Sequence, residues 1–347
     1  MIFRFSKQKN QFLSLAFVVF LSVVVEKIAY FGFTPNYSFW VFSRAGITRM
    51  LSHDVFQYRI LSQYFLFGTD HFLGYFMPDE KADPRILLLD PKGSERLYLA
   101  YYYLNTFFLA LTAVLLLLIL DLKKAFRINA AEKLILLVVM VMTMGLSQFV
   151  VCYYDNSSYF FQVLIEYVLL RFMERHYWAT IVGVGLLVVL STLNRESSAL
   201  SVAIVAVILI GRFGPKENIL MGIVGIGGCF LLTYIGLHVF IVDPVHGIFV
   251  NELAGRIFAD VNLYGLLFWI LFCYFAFVMA DSVDNRWMIG AYFLFSAPYI
   301  VTCLINGVLW EVRLYIPLLL GSLLLSRLDV SHYVYNYSHF HKSLRAR

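Results

Sequence analysis

The chain has 347 residues, 61% of them hydrophobic and only 14% charged, with a formal net charge of +5 and a mean hydropathy of +0.77. This balance excludes an ordinary soluble domain and indicates an all-α polytopic membrane protein, with room for about ten spans at roughly 20 apolar residues each. It also excludes a nucleic-acid partner as the reading of the charge, because where the basic residues fall carries more information than their sum.

The first span, 13–33, follows a basic start with Arg4, Lys7 and Lys9. Its apolar run is too long for a signal-peptide core and no small-residue cleavage site follows, so it reads as a retained anchor. Glu26 and Lys27 fall in its outer third. They can pair with other charges in the bundle, and Glu26 is also an acidic candidate for chemistry.

Residues 35–98 form a long extracytoplasmic loop too rich in Trp, Phe, Tyr, Ile and Leu to stay in water. Ile47, Leu51, Asp54/Val55, Tyr58 and Ser62 recur at helical spacing, which predicts two interfacial amphipathic helices at about 38–51 and 55–67. Residues 79–92 are polar and Pro-bearing and read as a loop, with Ser94 as an N-cap for the second span.

The remaining spans are expected at 98–121, 133–153, 157–174, 176–193, 197–212, 217–240, 262–282, 287–308 and 313–328, in a single domain covering 1–347. The glycines Gly222, Gly225, Gly227 and Gly228 then fall inside one span and suggest close helix packing. With the N-terminus in the cytoplasm, the inner segments hold Lys123, Lys124, Arg127, Arg171, Arg175, Arg212, Lys216 and Arg286, and the tail 329–347 adds Lys342, Arg345 and Arg347. The short outer segments hold only Arg195, Arg256 and Arg313, so both termini are predicted to be cytoplasmic. The cysteines Cys152, Cys229, Cys273 and Cys303 lie in or beside apolar spans without CxxC spacing and read as buried small hydrophobes.

Three spans, 157–174, 197–212 and 313–328, are short at about 24–27 Å. Each begins on the outer side behind polar residues: Tyr154-Asp155-Asn156-Ser157-Ser158, Asn194-Arg195-Glu196-Ser197-Ser198 and Trp310-Glu311-Val312-Arg313. This predicts an outward-facing recess lined by helix N-termini, whose free N–H groups and partial positive charge suit phosphates. Transporters place their sites at such recessed helix ends too.

The chemistry-bearing groups each admit a plainer reading. Asp54, beside His53, is a candidate general base, yet with Gln57 it would also cap a helix starting at Val55. Arg59 falls about 140° around such a helix from Asp54, so it is free to reach the recess or to extend to headgroups. Arg195 and Glu196, and likewise Glu311 and Arg313, can neutralise partners on neighbouring helices or serve a substrate, with Asn194 beside them. Together Arg59, Arg195 and Arg313 could clamp a phosphate bidentately. Asp155 and Asn156 are ordinary capping residues that also fall in the recess. No His/Cys/Asp/Glu spacing demands a metal ion, although a divalent cation could assist.

The layout, one span, then a long first outer loop with two interfacial helices, then a bundle whose outer ends carry isolated Asp, Glu and Arg, resembles the GT-C class of integral-membrane glycosyltransferases. The fragments His53-Asp54…Tyr58-Arg59-Ile60-Leu61, Asn194-Arg195-Glu196 and Glu311-Val312-Arg313…Pro317 look like those in bacterial envelope-polysaccharide membrane proteins. The resemblance covers the layout of most of the chain. It implies a plasma-membrane enzyme that moves a sugar from a polyprenyl-phosphate donor to a glycan or lipid acceptor on the outer face. That class places a carboxylate soon after the first span, where this sequence has Asn36, so the base would be Asp54. A transporter or flippase of a lipid-linked or anionic solute, and a non-catalytic subunit of an envelope assembly complex, are the other functions consistent with the layout.

Overall fold

Long runs of Leu, Val, Ile and Phe in a bilayer must satisfy their backbone groups internally, and the regular elements of the described chain are all helical. The computed structural model describes residues 2–32, 43–53, 55–77, 93–122, 125–126, 128–241, 260–306 and 309–329. Helix α1 spans Ile2–Gly32. Two helices follow on the loop, α2 at Arg44–His53 and α3 at Ile60–Gly74, with a 3-10 turn at Val55–Tyr58 between them. The bundle continues with α4 (Glu95–Leu120), α5 (Ala130–Leu146), α6 (Asp155–Phe172), α7 (Tyr177–Asn194), α8 (Ala199–Phe213) and α9 (Glu217–Phe240). It closes with α10 (Asp260–Val278), α11 (Val283–Phe295), α12 (Ala297–Asn306) and α13 (Ile316–Arg327).

Among the described residues, six helical segments are long and apolar enough to cross a membrane, and the pair α11–α12 makes a seventh if counted as one broken span. The span expected at 287–308 is this pair, bent by 53°. Pro298 has no amide proton to return to the preceding turn, so the first helix stops at Ser296 and a new one starts.

Helix starts follow the local chemistry. Ser94 accepts a hydrogen bond from the Leu97 amide and begins α4 at Glu95, three residues before the expected Tyr98. Asn129 and Glu132 form a reciprocal capping box on α5.

The loop carries two helices, shifted along the chain from the expected 38–51 and 55–67. Residues 33–42 and Asp54 lie outside the described residues, so the expected cap at Asp54 does too. The chain at Val55 turns as a 3-10 element, and Arg59 sits in the break before α3. The angular relation expected for one continuous helix from Val55 therefore does not apply. Helix α3 buries Ser62, Leu66 and Asp70 along one stripe and packs along the first half of α4. Phe65 meets Phe108 at 5.1 Å between ring centroids, and Asp70 takes Arg96 at 3.0 Å. Arg44 at the start of α2 holds the same carboxylate at 3.0 Å, which ties α2 to α3 and α4.

Contacts at the two ends of the bundle are distinct. One end gathers Arg212 with Glu174, Lys133 with Asp121, Arg327 with Asp281 and Glu132, and the short antiparallel bridge Phe126–Leu328. The other end holds Tyr30, Tyr98, Tyr154, Arg195 and Arg313, described below. Between them lies an apolar core shared by α4 to α8, α11 and α13.

Of the four glycines expected to permit close packing in α9, only Gly222 faces a tight contact, 2.6 Å from a built Cβ to the Tyr177 hydroxyl; Gly225 and Gly228 face open space. A tighter approach is at Gly265 of α10, where a methyl group would run into the carbonyl of Leu309 and come within 2.8 Å of the Trp310 amide nitrogen. Backbone cannot rotate away as a side chain can. Gly265→Ala should therefore cost about 1–3 kcal/mol as overpacking. Gly225→Ala should leave stability unchanged or slightly raised, and thermal unfolding of both variants in detergent would distinguish them.

Candidate functional site

The starts of α6, α8 and α13 meet at one end of the bundle, as their polar leaders imply. Helix α5 ends at Leu146, a 3-10 turn covers Ser147–Phe149, and an extended strip delivers Tyr154 directly before α6. Helix α7 ends at Asn194, Arg195 takes an extended conformation, and a 3-10 turn at Glu196–Ser198 leads into α8. Another 3-10 turn, Val312–Leu314, precedes α13, with Pro317 in its first turn.

What these starts enclose is a buried salt-bridge cluster. Asp155 pairs with Arg195 through one oxygen and with Arg313 through the other at 3.2 Å. Arg313 also holds Glu311 through both Nε and Nη2, at 2.9 and 2.5 Å. Arg59 makes a two-point pair with Glu196, Nε to Oε2 at 3.1 Å and Nη2 to Oε1 at 2.5 Å. Asp155 is fully buried, and Arg59, Glu311, Arg195 and Arg313 retain no more than 8% exposure. The Glu196 side chain is 41% exposed and forms the solvent edge of the cluster.

Tyr154 occupies its centre. The guanidinium carbons of Arg59, Arg195 and Arg313 lie 3.9, 5.2 and 5.7 Å from its ring centroid. Its hydroxyl accepts from Arg313 Nη1 at 3.0 Å. Three guanidiniums thus share one aromatic ring and three carboxylates, which balances charge in a place where an isolated charge would be costly. Burial is the largest single influence on Arg59 and lowers its pKa, but the charge and hydrogen bond of Glu196 together with Tyr154 raise it by more, so that the net shift is upward. Arg195 is shifted upward for the same reason, with Asp155 as the largest opposing charge. Two donors in the cluster, Arg59 Nη1 and Arg195 Nε, are buried without a hydrogen-bond partner.

A second polar group lies behind the first. Asn156 Nδ2 donates to Glu26 of α1 at 2.5 Å and to the Asn105 carbonyl of α4 at 3.2 Å. Asn105 Nδ2 in turn donates to the Tyr30 hydroxyl and the Cys152 carbonyl, at 2.6 and 2.9 Å. Asn194 ties α7 to α6, accepting from Ser157 at 2.8 Å, and its carbonyl accepts from Ser62 of α3 at 3.2 Å.

Arg59, Asp155, Arg195, Glu196, Glu311 and Arg313 are therefore brought together, with Glu26, Asn156 and Asn194 adjoining. Asp54 lies outside the described residues, and His53 ends α2 with its side chain outside them. Two expectations change. Asp155 is the first residue of α6 rather than its cap, and its carboxylate is committed to the two arginines. The outward-facing recess is, among the described residues, a closed and packed cluster, because each guanidinium finds a carboxylate from another element or turn. Asn156 is also fully buried.

Sequence reasoning missed Tyr154, Asn105 and Glu166. Tyr154 carries no distinguishing signal among 23 tyrosines. Asn105 and Glu166 do: each is a lone polar residue inside an apolar helix, where polarity is costly. Glu166 is fully buried and takes Gln162 Nε2 at 3.1 Å, on the α6 stripe shared with Asp155 and Tyr159. No group of three or more His, Cys, Asp or Glu that could hold a metal ion occurs among the described residues. Comparison with protein-family models, curated proteins and solved structures gives no match to this chain.

Proposed function

We propose that this chain is a ten-span plasma-membrane glycosyltransferase that takes a sugar from a polyprenyl-phosphate donor to an acceptor at the extracytoplasmic face. The span number is supported by adding the bent pair α11–α12, the shorter apolar helices α10 and α13, and α6 to the six long apolar segments. Cytoplasmic termini are supported by Arg171, Arg175, Arg212, Lys216 and Arg286, which fall at helix ends on the side opposite Tyr154.

The observation that carries the functional reading is the gathering of three guanidiniums round Tyr154, with two buried N–H donors unspent. Such a cluster can take a phosphate if a carboxylate leaves it. Glu196 is the one able to leave, because it alone reaches solvent and holds Arg59 from the rim. In this reading the donor phosphate replaces Glu196 on Arg59, and Arg195 and Arg313 add positive charge behind it. Asp54 takes the proton of the acceptor hydroxyl. The hydroxyl oxygen bonds to the anomeric carbon, the bond from that carbon to the phosphate oxygen breaks, and the polyprenyl phosphate leaves with the electron pair. Glu26 supports the site from behind Asn156.

Transfer from a synthetic polyprenyl-phospho-sugar in proteoliposomes tests this. Asp54→Asn and Arg59→Ala should each lower the rate by about 100-fold or more while insertion is unchanged. Wild-type rates in both inserted variants would overturn the assignment. A transporter of a lipid-linked or anionic solute is the second reading, favoured by the buried carboxyls Glu26 and Glu166 inside helices. It predicts that the lipid-linked sugar changes leaflet with its phosphate bond intact.

A further inference from the structure

Glu26 is fully buried in α1, and no lysine, arginine or histidine pairs with it among the described residues. Its only hydrogen bond there comes from the Asn156 amide, Nδ2 to Oε1. The remaining oxygens of both groups, Glu26 Oε2 and Asn156 Oδ1, are buried without a partner, and so is Asn105 Oδ1. Glu26 and Asn156 are joined through one arm each, and the second arm of each is an unpartnered acceptor. A carboxylate in that position would be an uncompensated buried charge, at a cost of several kcal/mol. One proton on Oε2 removes both defects, since the acid O–H can donate to Asn156 Oδ1 and close a cyclic acid–amide pair.

We propose that Glu26 is a proton-binding site, held as a neutral carboxylic acid paired with Asn156, and that it positions the start of α6. Through Asn156 it fixes the first turn of that helix, and with it the carboxylate of Asp155. The groups that could perturb it are Lys27 and Tyr30 on α1, Tyr98 and Tyr102 on α4, Cys152 before α6, and Asp155. Lys27 extends over the Phe31 ring at 3.6 Å and, among the described residues, makes no ion pair with Glu26. Tyr30 donates no charge and receives Asn105. Tyr98 bonds the Tyr30 carbonyl. Asp155 is committed to its arginines. None supplies a compensating cation. The inference stands apart from the transferase reading, because it concerns the protonation of a buried pair rather than a substrate.

Infrared difference spectra of the full-length protein in nanodiscs at neutral pH test it. Wild type minus Glu26→Gln should show the carbonyl stretch of a protonated carboxylic acid, which the variant lacks. Glu26→Gln should keep the melting temperature, since an amide donates the same second bond, whereas Glu26→Ala should lower it. The exchange Glu26→Gln with Asn156→Asp should keep the pair and restore an acid band. Wild-type stability should fall more steeply than that of Glu26→Gln as the pH is raised, because ionisation breaks the pair only in wild type. Absence of the acid band from the wild-type difference spectrum would overturn the proposal, and so would sodium-dependent melting lost in Glu26→Gln, which would place a cation there instead.

Discussion

Asp155→Ala should destabilise the chain more than removal of any other single carboxylate at the Tyr154 end. Asp155 is fully buried and holds one arginine with each oxygen. Removing one partner of a buried pair typically costs about 3–5 kcal/mol, because the other charge is left without compensation. Here two guanidiniums lose a partner at once. Arg313 keeps Glu311, so the loss falls hardest on Arg195, whose Nε already lacks a bond. Asp155→Asn should recover only part of the loss, since an amide keeps the shape and one acceptor but not the charge. Glu196→Gln provides the contrast. Its side chain is 41% exposed, so solvent screens the pair in part, and although Arg59 is buried the cost should be about 1–3 kcal/mol, below that of Asp155→Ala. Unfolding of the detergent-solubilised variants measures both. Equal losses for Asp155→Ala and Glu196→Gln would mean that burial does not govern this cluster.

The parts of the molecule that were legible from sequence are those set by local pattern. Apolar runs located the helices, and the polar leaders at 154–158, 194–198 and 310–313 identified three helix starts that meet at one end. Ser94 was legible as a cap because capping needs only a side-chain oxygen and an amide three residues on. What pattern could not supply was partner choice. Asp155 satisfied every local criterion for a cap, yet two arginines from distant turns compete for its carboxylate, and in a dry interior charge outweighs a neutral amide bond. The break at Pro298 was visible in principle, but a single proline near the middle of an apolar run is tolerated in many spans. The 3-10 turn at Val55–Tyr58 broke the helical spacing assumed for Arg59, because Arg59 is drawn sideways to Glu196, 137 residues later in the chain. Glu26 and Glu166 were legible as anomalies of polarity, but their amide partners come from packing or from a neighbouring turn and carry no sequence signature.

Tyr154→Ala should be nearly as damaging as loss of Asp155, while Tyr154→Phe should be mild. The ring does two things that the hydroxyl does not. It fills the space between three guanidiniums, the nearest 3.9 Å from its centroid, and it packs edge-on against Tyr153 at 5.0 Å. Truncating a buried aromatic residue to alanine costs about 3–5 kcal/mol through lost burial and the cavity left behind. Each desolvated guanidinium–ring contact adds up to about 2 kcal/mol, and three like charges are then left facing a void. Phenylalanine keeps the ring and its negative face. It removes only the acceptor for Arg313 Nη1, which still has Asp155 at 3.2 Å, so no donor is orphaned and the loss should stay near 1 kcal/mol. The same pair separates structure from chemistry. If the ring organises the arginines for a phosphate, Tyr154→Phe retains binding of a polyprenyl-phosphate probe, measured as a shift in melting temperature. A Phe variant as unstable as the Ala variant would show that the hydroxyl, and not the ring, holds the cluster.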